Sequence, residues 1–255
     1  SNNFVPYKFA FDGTPVVKLD DNELGILRKF GEILEKEKDI INVKEQAIER
    51  GIKFRDDPSV ENAAKLVALL RQVIQETMGI NPFIVQCLAV GSLLIHRINK
   101  KDRFDLKGRI AQIATGEGKS IIISLLASSI ALTGCCVDII SSSSYLAKRD
   151  AKKFSSFYEK LGLRCGIVDE NDYSNGFDFH ILYSTNTSFE FALLREGIKG
   201  KSFIETTLLF ENTKKHRPHM TSIVDEADNL FIDTAIDSAR IAEVRKSQFN
   251  WIFKP

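Results

Sequence analysis

Along the first 81 residues, apolar positions recur at three- and four-residue spacing. Leu27, Phe30 and Leu34 share one face of a helix, and Asp20 with Glu23 three residues later has the pattern of a capping box at its start. A second stripe runs through Val60, Ala64, Val67, Leu70 and Ile74. It follows Asp57-Pro58, which predicts a helix with proline at its first position, ended by Gly79 and Pro82. From about residue 105 the pattern changes to short apolar runs alternating with helical stretches. Arg109–Ile113 reads as a short strand, Ser120–Leu132 as an almost wholly apolar buried helix, and Val137–Ile140 as a buried strand. Tyr145–Leu161 reads as an amphipathic helix ending at Gly162, with further strands at Arg164–Val168, Phe179–Tyr183 and Ser222–Asp225. Such alternation predicts βαβ units and a mainly parallel sheet flanked by helices. There is no internal repeat, and the only biased tract is Ser141–Ser144.

Composition narrows the classes. The 255 residues are 44% hydrophobic and 27% charged, which is globular. The formal net charge of +1 gives no global field toward nucleic acid or anionic lipid. Cys87, Cys135, Cys136 and Cys165 make no CxxC pair and read as buried free thiols of a reducing compartment. His216 and His219 lack the Cys or Glu partners of a zinc site. No N-terminal signal pattern is present. Ile121–Ile140 approaches the length of a membrane span, but Ser124, Ser128, Ser129, Gly134 and Asp138 interrupt it. A start without methionine and an apolar end predict a piece of a longer protein.

Two motifs carry chemistry. Ala114-Thr115-Gly116-Glu117-Gly118-Lys119-Ser120 lies between an expected strand and an apolar helix, the context of a phosphate-binding P-loop. Its glycines would let backbone N–H groups approach phosphate, reinforced by the positive end of the following helix. Lys119 would reach the terminal phosphates and Ser120 would offer a hydroxyl to Mg²⁺. The first glycine of the strict motif is replaced by Ile113. Further on, Ser222-Ile223-Val224-Asp225-Glu226-Ala227-Asp228 is an apolar run ending in paired carboxylates. Asp225 would hold Mg²⁺ through its water shell, and Glu226 would position and polarise the attacking water.

Several segments in order resemble the SecA preprotein translocase ATPase family, in its first nucleotide-binding, DEAD-like motor domain. Thr115-Gly116-Glu117-Gly118-Lys119 is identical to the family's core motif, and Ala131-Leu132-Thr133-Gly134 also matches. Tyr145-Leu146-Ala147-Lys148-Arg149-Asp150 resembles Tyr-Leu-Ala-Arg-Arg-Asp. Leu182-Tyr183-Ser184-Thr185-Asn186, Leu194-Arg195-Glu196, Arg217-Pro218, Ile223–Asp228 and Ile232-Asp233 follow in the family's order. Pro82-Phe83-Ile84-Val85-Gln86 resembles the segment whose glutamine reads adenine, with Ile84 in place of an aspartate. Ser143-Ser144 replaces Asn-Asp, and Thr234–Ser238 replaces Glu-Ala-Arg-Thr-Pro in the region leading to the polypeptide clamp.

The resemblance implies a RecA-like P-loop NTPase lobe over residues 82–240, an N-terminal helical segment over 1–81, and the start of a following segment at 241–255. It implies ATP and Mg²⁺ as ligands. Gln86, Thr115, Gly116, Glu117, Gly118, Lys119 and Ser120 would bind nucleotide, Ser120 and Asp225 the metal, and Glu226 and Lys119 would be catalytic. The expected activity is ATP turnover coupled to polypeptide movement, completed by a second RecA-like lobe. The expected setting is cytoplasmic or peripheral to a membrane, with association to a translocon. A nucleic-acid helicase lobe and a non-enzymatic nucleotide-binding scaffold are the alternatives; the neutral charge and the lack of an aromatic-basic stripe argue against nucleic acid.

Overall fold

The computed structural model describes residues 21–95, 109–168, 179–199, 205–207, 214–216 and 221–230. Four helices come first: α1 (Asp21–Lys36), α2 (Val43–Asp56), α3 (Val60–Met78) and α4 (Ile84–Ile95). The expected faces are the ones that bury: Phe30 and Leu34 on α1, and Ala64, Val67, Leu70 and Ile74 on α3. The expected cap at Asp20 lies outside the described residues. The start of α3 shifts from the proline reading. Ser59, in extended conformation, is the N-cap, and its side chain accepts from the N–H of Asn62 at 3.2 Å. Pro58 therefore precedes the helix. A hydroxyl that satisfies an orphan first-turn donor outweighs proline's preference for the first position.

The α3 helix is also more deeply set than its stripe suggests. Leu66, Leu69 and Val73 are buried as fully as the stripe itself, because α1, α2, α4 and the two helices described next all pack on it.

The α/β part runs through α5 (Lys119–Ala131), β1 (Val137–Ile140), α6 (Ser144–Lys160), β2 (Cys165–Ile167), β3 (Ile181–Ser184) and α7 (Asn186–Lys199). Then come β4 (Glu205–Thr207), β5 (Lys214–His216) and β6 (Thr221–Val224). The strands β2-β3-β1-β6 form a sheet in that order, and all three pairings are parallel. The pair β4-β5 is a separate antiparallel ribbon that the residue pattern did not announce.

The apolar stretch of membrane-like length resolves into α5, a turn and β1. Two of its interrupting serines satisfy their hydroxyls within the helix: Ser124 donates to the Ile121 carbonyl at 2.9 Å and Ser129 to that of Leu125 at 2.8 Å, while the buried Ser128 hydroxyl has no partner among the described residues. Among the described residues no helix is long and apolar enough to cross a membrane. One buried apolar cluster runs from Phe30 on α1 to Tyr183 on β3, so α3 shares its core with α4, α5 and α6. All four cysteines are free, Cys87 and Cys136 buried and Cys135 and Cys165 half-buried. Burial pushes the thiols of Cys87 and Cys165 up to about 11 and about 12, where they stay protonated and unreactive.

The expected strand at Arg109–Ile113 does not form. The segment carries no strand pairing among the described residues, and Ile110 is 97% exposed. Ile110 and Ile113 are an odd number of positions apart, so an extended chain sends them to opposite faces. Only Ile113 reaches the core.

Candidate nucleotide site

The parallel register sets the site's position. Ile140 of β1 lies level with Ser184 of β3 and Val224 of β6, so three strands end on one line. Two further backbone bonds hold the residues just beyond it. The Ser141 N–H donates to Ser184 at 2.8 Å, and the Asp225 N–H donates to Ile140 at 2.9 Å. Asp225 is thereby fixed at the carboxyl-terminal edge of the sheet, where α/β folds open their ligand crevices.

The glycine loop leads directly into α5. Gly116 (φ +89°) and Gly118 (φ +78°) both take left-handed conformations that side chains resist. A Cβ at Gly118 would collide with the Gln86 amide nitrogen, whereas one at Gly116 would meet only open space. Gly118 is the N-cap of α5 and offers no side chain to the first turn. Among the described residues no carbonyl accepts from the N–H groups of Gly118, Lys119 or Ser120. Three donors and a helix's positive end therefore face the same opening, an arrangement complementary to an anion. Thr115 and Glu117 are exposed on the loop, while Lys119 and Ser120 are half-buried.

The acid pair meets this loop. Burial raises the half-buried Asp225 carboxyl above its ordinary value, Glu226 adds to the rise, and Lys119 opposes it. Lys119, Asp225 and Glu226 thus share one electrostatic neighbourhood although 105 positions separate Ser120 from Asp225. Glu226 is exposed and has φ of 59°, a conformation that costs a residue with a Cβ roughly 1–2 kcal/mol. Such strain at a sheet edge aims a side chain at the price of local stability.

Gln86, the residue expected to read adenine, lies against the phosphate loop. Its Oε1 accepts from the Phe83 N–H at 3.0 Å, and its Nε2 donates to the Glu117 carbonyl at 2.8 Å. Both ends of the amide are engaged by backbone, so the side chain braces the phosphate loop against the start of α4. Sequence reasoning also passed over Asp150 as a functional residue. It lies on α6, 7% exposed, and accepts from the Ser120 hydroxyl at 3.2 Å and from Arg149 Nε at 2.8 Å. The available signal was an acid placed between Ala147, Ala151 and Phe154 on the buried face of an amphipathic helix. The side chains of Arg195 and Glu196, and residues Arg217, Pro218, Ile232, Asp233 and Thr234–Ser238, lie outside the described residues.

These groups fit a phosphate accompanied by a divalent cation. Among the described residues no three His, Cys, Asp or Glu side chains converge to chelate an ion. The donor set is instead one hydroxyl and one carboxylate beside a lysine and unpaired N–H groups. Magnesium suits such a set because it keeps most of its waters and takes few protein ligands beside phosphate oxygens.

A parallel sheet with a glycine loop entering an apolar helix, and an acidic pair ending a neighbouring strand, makes this an α/β lobe of RecA-like architecture preceded by helices. The chain belongs to the SecA DEAD-like domain family, whose profile matches residues 26–254. It is 31% identical over 175 residues to the protein translocase subunit SecA of Oleidesulfovibrio alaskensis, covering 67% of this chain and 18% of that protein. The SecA of Afipia carboxidovorans is 34% identical over 172 residues, 66% of this chain and 16% of the relative. The SecA of Wolinella succinogenes is 29% identical over 195 residues, 74% and 20% respectively. The chain thus spans 16–20% of the length of these relatives.

Proposed function

We infer that the protein binds ATP with Mg²⁺ at the carboxyl-terminal edge of its sheet, as the nucleotide lobe of a SecA-like motor that couples ATP hydrolysis to polypeptide movement. The observation that carries this reading is the convergence of Lys119 and Ser120, at the open N-terminus of α5, with Asp225 and Glu226 at the end of β6. In this reading the free N–H groups of Gly118, Lys119 and Ser120 bind phosphate oxygens, with Thr115, Gly116 and Glu117 shaping the loop. Lys119 pairs with the terminal phosphate charge. Ser120 and Asp225 would hold the metal. Mg²⁺, when bound, neutralises charge on the phosphates. Glu226, on an exposed and strained turn, orients a water and takes its proton.

In this proposal the lobe spans 82–240, and its described residues share an apolar core with the preceding helices. A second RecA-like lobe would close the site and supply a further cation, a contribution of about 10³–10⁵ in rate where such arginines act. The polypeptide substrate, a translocon at the membrane and a cytoplasmic setting follow from the SecA kinship and stand as part of the same proposal.

Lys119→Ala tests the reading. One charge-assisted contact to phosphate contributes roughly 1.5–3 kcal/mol, so ATP affinity should fall about ten- to hundredfold in calorimetric titration. A folded variant with unchanged affinity would remove the P-loop assignment.

A further inference from the structure

Asp150, the acceptor of the Ser120 hydroxyl, carries one of the most buried carboxylates among the described residues. Only 10% of its side chain is exposed. Its neighbours on α6, Ala147, Ala151 and Phe154, are core residues. A carboxylate in such a place needs partners, since an unpaired buried charge is costly. It has two. Oδ1 accepts from Arg149 Nε at 2.8 Å, and Oδ2 accepts from Ser120 Oγ at 3.2 Å. The Arg149 side chain is 48% exposed, so that ion pair is largely solvated and does little to justify burying the acid. The contact that requires Asp150 to sit inside is the one to Ser120.

A serine hydroxyl has one proton and two lone pairs. With the proton directed to Asp150, both lone pairs are left for another partner. A metal can coordinate only through a lone pair, and an outer partner that takes the ligand's proton both orients it and makes it a better donor. Asp225 makes no bond to Ser120 among the described residues; its own N–H is tied to β1, and its carboxyl feels the charges of Glu226, Lys119 and Asp150. The two acids therefore divide the work between two elements, α6 and β6.

We propose that Asp150 is a positioning residue for the metal: it fixes the Ser120 hydroxyl so that its lone pair faces Mg²⁺, and it thereby sets how much magnesium strengthens nucleotide binding. The inference rests on the nucleotide reading above and adds to it a residue from a different helix.

The readout is the ratio of ADP affinity in Mg²⁺ to that in EDTA, measured by calorimetry on wild type, Asp150→Ala, Asp150→Asn, Ser120→Ala and the Asp150→Ala/Ser120→Ala double variant. Loss of an outer-sphere partner lowers metal affinity about ten- to hundredfold, so Asp150→Ala should lose about tenfold of the magnesium gain while its affinity in EDTA stays within about twofold of wild type. Asp150→Asn keeps an oxygen that can accept from Ser120 and should retain part of the gain, which also keeps the test open should the alanine variant not fold. The double variant should lose no more than Ser120→Ala alone, since both remove one interaction. A full magnesium gain in Asp150→Ala, an equal loss with and without metal, or additive losses in the double variant would overturn the proposal. Wild type without any magnesium gain would instead strike at the nucleotide reading beneath it.

Discussion

Gln72 and Gln86 use the same chemistry in two regions with opposite character. Gln72, on α3, pairs both ends of its amide with Ile40, accepting from its N–H and donating to its carbonyl, each at 2.9 Å. Around it the helical layer leaves little unspent. The Asn62 amide is bonded to Asp57 at 2.8 Å, and Arg50 reaches the Lys65 carbonyl at 2.6 Å and Glu37 at 2.9 Å. Gln86 likewise spends both ends on backbone, but beside it three N–H groups of the α5 turn are open and Glu226 sits in a strained conformation. In the first region the amide closes a packed layer. In the second it holds a loop open. The contrast teaches that stability resides in α1–α4 and their shared core, while the sheet edge withholds hydrogen bonds for something that is not protein.

The largest effect that could break this contrast is on turnover. Glu226→Gln keeps size and removes the base, which contributes about 10²–10⁴ in rate where a carboxylate acts on an attacking water. Phosphate release should fall by that factor with ATP affinity nearly unchanged. Parallel loss of binding and turnover would make Glu226 a structural residue and the strain at its backbone unrelated to catalysis.

The helical layer should answer the other way. Leu69 is fully buried in the α3 core, and Leu69→Ala should cost roughly 2–5 kcal/mol in denaturant unfolding. Nucleotide affinity of the folded variant should stay within about threefold, on the view that sites distant from a mutation respond independently. A large loss of affinity at small cost in stability would show that the layer belongs to the site.

The smallest effect lies in Asp225, whose carboxyl is held above its ordinary value of 3.8 by burial and by Glu226. A raised acid binds its proton more tightly in the folded state than in the unfolded one. Stability is therefore lost as pH rises from about that ordinary value through the raised folded value. Above that window the ionised group opposes folding. Asp225→Asn should be slightly more stable than wild type at neutral pH, and the advantage should shrink in thermal unfolding as pH falls toward 4. An advantage that is absent at neutral pH would mean that Lys119 outweighs burial. Such a trade, in which a residue kept for binding lowers stability, is what an unliganded metal site would show.

What the residue pattern made legible, and what it did not, follows the same division. The apolar runs of α5 and β1 and the stop at Gly162 were readable because burial on most sides leaves a continuous apolar signature. The glycine loop and the acid pair were readable because each is local. The link between Ser120 and Asp150 was not, since thirty positions separate them and only α6 packing beside α5 brings the two side chains together. The exact start of α3 turned on one hydroxyl, Ser59, in competition with the neighbouring proline. The ribbon β4-β5 left no trace in the pattern because Glu205–Thr207 and Lys214–His216 are too short and polar to show an alternation.

The central claim is that the open donors at the sheet edge are a Mg²⁺–nucleotide site and that the helical layer is not. Amide chemical shifts followed by NMR during titration with ATP and Mg²⁺ test it most directly. The largest shifts should fall at Gly116, Gly118, Lys119, Ser120, Asp225 and Glu226, with Leu69 and Gln72 unmoved. Shifts concentrated on α1–α3, or none at Lys119 and Ser120 at saturating nucleotide, would contradict it.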